Sequence, residues 1–187
     1  MKNSFLIALI FMFTFTNCNL YSQKSNFELS GDILSIFIPA SAFTSTLVLN
    51  NDNCDGSIQF AKSIGVAMIT TYSLKYIINK KRPNGGSLSF PSGHTMSAFT
   101  GAAFLQKRYG WKVGIPAYIT ASYVGWTRIN ANKHDYWDVL GGAIIGTISA
   151  YIFTKPFIRK HANISFRKIN DQLNLQVTVV LSHHKIL

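Results

Sequence analysis

The chain divides into apolar blocks separated by short polar breaks. Asp32 to Leu49 is mostly apolar and follows Ser30 and Asp32, either of which suits a helix N-cap; Pro39 inside it predicts a kink or a later start. Asn50-Asn51-Asp52-Asn53-Cys54-Asp55-Gly56 has the composition of a loop. A second helix is expected over Ser57 to Asn79. Residues 80–93 carry Pro83, Gly85, Gly86, Pro91 and Gly93 and read as another loop. The third helix, His94 to Lys107, breaks at Tyr109-Gly110. The fourth, Lys112 to Thr127, tolerates Pro116 only in its first turn. The fifth runs from Tyr136 to Phe153, and Gly141, Gly142, Ala143, Gly146, Ser149 and Ala150 give it a small face for close packing, with Pro156 just beyond its end. After it the period changes to two: Leu173, Leu175, Val177 and Val179 alternate with polar neighbours, which predicts a short C-terminal β-hairpin with Ile164 to Ile169 across Asn170-Asp171.

The N-terminus has the pattern of an export signal. Met1-Lys2-Asn3-Ser4 is a short positive segment, Phe5 to Thr16 is uncharged and apolar, and polarity then rises toward Ser22 and Gln23. Residues 1–22 are expected to be a cleaved signal peptide, with lipidation at Cys18 as the alternative. The chain left after cleavage keeps Cys54 alone, so it has no internal disulfide.

Length and composition narrow the picture. With 187 residues the chain is one domain. It is 48% hydrophobic and 13% charged, rich for a soluble protein and lean for a many-span membrane protein. Val139 to Thr154 carries no charge, about 24 Å of helix against a hydrocarbon core of about 30 Å. A soluble bundle and a set of short spans both fit. The formal net charge of +11 suits anionic partners: phosphates, nucleic acid or a headgroup surface.

Candidate chemistry lies in three polar clusters at predicted helix ends: Lys75 to Pro83, Pro91 to His94, and Thr127 to Asp138. Lys75, Arg82 and Arg128 supply cations, the arginines with a planar fork that matches phosphate oxygens. Ser92 and Gly93 stand at a helix N-terminus, where free N–H groups and the helix dipole favour an anion. His134 and Asp138 are four apart and share a helical face, so the carboxylate can fix one ring nitrogen and leave the other basic. His94 at the mouth of that cradle suits a general acid. Taken singly, each cluster has a plain structural reading as a solvated face, a helix start or a surface histidine, and Lys80 and Lys81 read as solvated. The coincidence of all three, in order, is what carries weight.

The pattern Lys-x6-Arg-Pro, Pro-Ser-Gly-His and Ser-Arg-x5-His-x3-Asp resembles the signature of the type 2 phosphatidic acid phosphatase (PAP2) superfamily, which also holds bacterial non-specific acid phosphatases and vanadium haloperoxidases. Lys75, Arg82, Pro83, Pro91 to His94, Arg128, His134 and Asp138 match, and Thr127 replaces the serine while keeping its hydroxyl. The resemblance implies an all-α bundle of five to six helices over residues 30–160, with a C-terminal tail over 161–187. It implies that His134 attacks phosphorus to form a phosphohistidine, that Asp138 orients it, and that His94 is the general acid and base. Lys75, Arg82, Ser92, Gly93 and Arg128 would bind the phosphate, without metal or other cofactor. The expected activity is phosphatase action on phosphomonoesters or lipid-linked phosphates at the membrane surface of a bacterial-type envelope or periplasm. A soluble periplasmic acid phosphatase is the alternative; a vanadium haloperoxidase and a non-catalytic anionic-lipid-binding protein are remoter ones. A nucleic-acid partner is not expected, because the charge is scattered and the chain is exported.

Overall fold

The computed structural model describes the backbone of residues 26–49, 55–169 and 172–183, and side chains as far as Phe157. Residues 1–22, with the signal and Cys18, and Cys54 lie outside the described residues. Among the described residues five helices follow one another: α1 Asn26–Val48, α2 Asp55–Ile78, α3 Gly93–Tyr109, α4 Trp111–Asn130 and α5 Tyr136–Phe153. Strands β1 Ile158–Ile169 and β2 Gln172–His183 then pair antiparallel, from Ile158 opposite His183 to Ile169 opposite Gln172. The fold is the expected all-α bundle, with the hairpin appended.

α3 is the hub and packs against each of the other four helices. Ser92 caps its start, and Gly110, at φ 88, ends it and begins α4, as Tyr109-Gly110 predicted. A side chain bearing a Cβ is strained in that left-handed region. Asp135 caps α5 and forms a reciprocal capping box with Asp138.

Three expectations need correction. α1 begins at Asn26, six positions before Asp32. Ser30 and Asp32 therefore lie inside the helix and do not cap it, and Gly31 between them is a packing contact: a Cβ there would collide with Thr127 and lie 2.5 Å from Arg128 Nη2. Pro39 also leaves α1 continuous. It cannot donate to the carbonyl of Ser35, but Ser97 Oγ of α3 does so at 3.0 Å. Likewise Pro116 lies beyond the first turn of α4.

The packing of α5 is inverted relative to a helix of a water-soluble bundle, while the other helices still bury Ile38, Phe60, Met96, Phe104, Leu105 and Val124. The buried positions of α2 are Gly56, Phe60, Ser63, Ala67, Thr71 and Lys75. On α5 Gly142, Gly146, Ser149 and Ala150 face inward, while Leu140, Ile144, Ile148 and Ile152 are exposed. Backbone meets backbone along this seam: a Cβ on Gly146 would lie 2.5 Å from Met96 O and 2.9 Å from Thr100 N of α3. Small residues inside and large apolar residues outside is the arrangement of helices packed in lipid, where close backbone approach drives association. Two described helices, α1 and α5, are long and apolar enough to cross a membrane.

Candidate active site

The eight residues singled out from the sequence come to one end of the bundle, where α2 and α4 finish and α3 and α5 begin. His134 stands just before α5 and is 4% exposed. Its backbone N–H donates to Arg128 O at 3.3 Å, which ties it to the end of α4. Its Nδ1 lies 3.4 Å from Asp138 Oδ2 and 3.4 Å from Ser89 Oγ. This side of the ring faces the carboxylate, which leaves Nε2 for an electrophile. Burial, and then the charges of Lys75 and Arg82, push the imidazole from its ordinary 6.5 down to about 4, against the pull of Asp138. The ring is neutral at neutral pH, as a nucleophile must be.

Asp138 is fully buried. Ser89 Oγ donates to its Oδ2, Lys80 Nζ donates to its Oδ1 at 2.9 Å, and the Asp135 N–H donates to Oδ2 at 3.1 Å. Lys80 also pairs with Asp135. This corrects the reading of Lys80 as a solvated charge. Burial works against its charge, yet the hydrogen bonds it donates to Asp135 and Asp138 hold its pKa above the usual lysine value. Lys81 is exposed, as expected.

Lys75, at the end of α2, is buried and donates to Leu88 O at 2.7 Å and Ser89 O at 3.4 Å. Leu88 reaches this position at φ 58, a conformation uncommon for a branched side chain. Arg82 shapes its own loop: its N–H donates to Gly86 O at 2.7 Å and its Nε to Ser87 O at 3.1 Å. It acts through space on both His94 and His134.

Arg128 has no solvent exposure. Its guanidinium pairs with Asp32, donates to Glu28 O at 2.8 Å and reaches Thr127 Oγ1 at 3.2 Å. Asp32 Oδ1 also lies 3.2 Å from Nε2 of His94, whose side chain is the most open of the group at 45%. The carboxylate thus links the candidate general acid to a candidate phosphate-binding cation. Ser92 is buried, and its Oγ accepts from Thr95 Oγ1 at 2.9 Å, so the hydroxyl keeps its own proton to give. At Gly93 no atom comes within 4 Å of where a Cβ would stand, leaving space at the α3 N-terminus.

Asp32, Lys80, Ser89 and Asp135 are contributions that motif reading missed. Two had a signal. Asp135 and Asp138 have capping-box spacing before an apolar block. Asp32, which reads as a cap, is followed by an apolar block, and a carboxylate drawn into such a helix needs a partner.

A neutral buried imidazole set among cations and a helix N-terminus is an arrangement for transfer of a tetrahedral anion. Comparison with known proteins agrees. The sequence model of the PAP2 superfamily matches residues 56–161, more than half of the chain and all eight of those positions. The chain belongs to that superfamily. A lipid A 4′-phosphatase of Helicobacter pylori is 27% identical over 169 residues, covering 84% of each chain. A lipid A 1-phosphatase of Porphyromonas gingivalis is 33% identical over 99 residues, 50% of this chain and 22% of that one. The crystal structure of Aquifex aeolicus LpxE matches the fold with a TM-score of 0.59 at 25% identity, over 67% of this chain and 81% of that one. The protein is a PAP2-type phosphatase, a phosphoric monoester hydrolase.

Proposed function

We propose that this phosphatase removes a phosphomonoester from a membrane-anchored lipid of the lipid A class, on the exported face of the envelope. The observation that carries this reading is the position of the His134–Asp138 pair, under the charges of Lys75 and Arg82 and with Arg128 on the Asp32 side, at one end of a bundle that exposes many large apolar side chains. The likeness to a lipid A phosphatase over 84% of both chains supports the substrate class. Exposed Tyr76, Trp126, Tyr136 and Trp137 surround the site end, and Trp111 is exposed at the other. Aromatic rings at both ends suit the two polar boundaries of a bilayer, and helices of 17 to 24 residues span about 26 to 36 Å.

In this mechanism the Nε2 lone pair of His134 attacks phosphorus, and the bond from phosphorus to the sugar oxygen breaks. His94 gives its proton to the departing alkoxide. Lys75, Arg82, Arg128, the Ser92 hydroxyl and the Gly93 N–H stabilise the equatorial oxygens. His94, now neutral, takes a proton from water, whose oxygen attacks the phosphohistidine. The P–N bond breaks, its electron pair returns to Nε2, and inorganic phosphate leaves.

The test is phosphate release by the full chain in detergent micelles from bisphosphorylated lipid A, phosphatidic acid and p-nitrophenyl phosphate. Lipid A is expected to be turned over with kcat/KM at least about tenfold above the soluble ester, and His134→Ala is expected to be inactive. Preference for the soluble ester reassigns the substrate; an active His134→Ala removes the mechanism.

A further inference from the structure

We infer that Ser89 and Lys80 are positioning residues for the reaction, a two-point clamp that fixes one oxygen each of the Asp138 carboxylate so that it stands in register with Nδ1 of His134. The inference rests on the proposed role of His134 as nucleophile.

The geometry is specific. Asp138 is fully buried, and both of its oxygens are occupied: Oδ1 by Lys80 Nζ at 2.9 Å, Oδ2 by Ser89 Oγ and by the Asp135 N–H at 3.1 Å. The imidazole is the loosest of these partners. Its Nδ1 is 3.4 Å from Oδ2, beyond the 2.7–3.2 Å of an ordinary N–H···O bond. In the resting site the carboxylate is therefore held by the clamp and not by the ring it serves. When Nε2 bonds to phosphorus the ring becomes cationic, and Nδ1–H must close on Oδ2. A carboxylate pinned at both oxygens meets that proton without first having to find its rotamer; one that had lost a pin would reorient during the step. Hydrogen bonds behind a functional group commonly act this way.

The clamp also couples two parts of the site. Ser89 and Lys80 both belong to the segment between α2 and α3, which carries Arg82 and Ser92. Ser89 N–H donates to Lys80 O at 2.8 Å and Ser92 N–H to Asp138 O at 2.8 Å. Lys75 holds the same strand of chain through Leu88 O and Ser89 O. The phosphate-binding segment and the carboxylate behind the nucleophile thus move as one unit.

The experiment measures kcat, KM and the pH profile on lipid A and phosphatidic acid in micelles, for the full chain and its variants Ser89→Ala, Ser89→Thr, Lys80→Met, Lys80→Arg and His134→Ala, with thermal melts as the folding control. Ser89→Ala and Lys80→Met are expected to lower kcat about 10- to 100-fold, the usual range for an outer-shell partner, with KM unchanged. They should also move the acid limb of the profile upward. The charged groups facing the pair are Lys75 of α2, Lys80 and Arg82 of the following segment, and Asp135 at the α5 cap. Arg128 of α4 and His94 of α3 lie on the Asp32 side. With a clamp residue gone, the carboxylate keeps more negative charge for the His134 imidazolium, so the ring protonates at higher pH, by about one unit. Ser89→Thr and Lys80→Arg should restore most of the rate. Wild-type kcat and acid limb in folded Ser89→Ala and Lys80→Met, with His134→Ala inactive, overturns the clamp and leaves the nucleophile standing. A raised KM at unchanged kcat overturns it too, by making these residues phosphate ligands. An active His134→Ala removes both. If Ser89→Ala does not fold, Lys80→Met decides, since that side chain is 33% exposed.

Discussion

Arg128 is a cation with no access to solvent, held by Asp32, by the Glu28 carbonyl and by Thr127. A lysine there would keep the charge but lose the planar fork that reaches them together. Arg128→Lys is expected to fold and to lose about 10²–10³ in kcat/KM, the usual effect of removing a donor that stabilises transition-state charge, read by steady-state kinetics. Arg128→Ala is expected to cost about 3–5 kcal/mol of stability, because it strands the buried partners, read as a lowered melting temperature. The acid limb of activity follows from His134. Its proton affinity is depressed in the folded site, so the ring loses its proton, and activity rises, as pH increases through about 4. A kcat/KM profile, which reports the free enzyme, with its acid limb near 6.5 would show an unperturbed ring instead. The motif residues were legible because their spacing is a local property of the chain. Asp32 and Ser89 were not, since their partners lie 96 and 49 positions away and a contact at that separation leaves no periodicity behind.

At the scale of elements, α3 and α5 position the site by meeting backbone to backbone. A Cβ on Gly142 would press into Ser92 O and lie 3.1 Å from Met96 N. Neither atom can yield, and Ser92 is the cap from which the phosphate cradle begins. Gly142→Ala is expected to cost about 1–3 kcal/mol, as overpacking does, and to lower activity with it. Gly65, inside α2, has nothing within 4 Å of its Cβ position. Gly65→Ala should therefore raise stability by about 0.5–1 kcal/mol through helix propensity and leave kcat unchanged. Melting curves of the two variants in one detergent decide between these signs. The small face of α5 was visible in the sequence as glycines and alanines at helical spacing. The start of α1 was not, because Ser30 and Asp32 read as caps until Thr127 and Arg128 are brought against Gly31 between them.

For the whole molecule, the close glycine contacts between α3 and α5 and the many exposed Ile, Leu and aromatic side chains argue for an environment of lipid chains. A protein held by its net charge of +11 would be released by high salt, which screens surface charge within a few ångströms. This chain is expected to stay with the membrane pellet through about 1 M salt and through alkaline carbonate; recovery in the carbonate supernatant would place it on the membrane surface. By itself the sequence determined the helical class, the breaks at Tyr109-Gly110 and before Tyr136, and the candidate site residues that the fold brings together, because caps, breakers and motif spacings are written in near neighbours. Only the tertiary structure decided which faces turn inward, that Asp32 joins His94 to Arg128, and that Ser89 and Lys80 hold Asp138. A helix apolar on every side has no preferred face until a neighbouring backbone fits against one, and a buried charge finds its partner only when distant segments close around it.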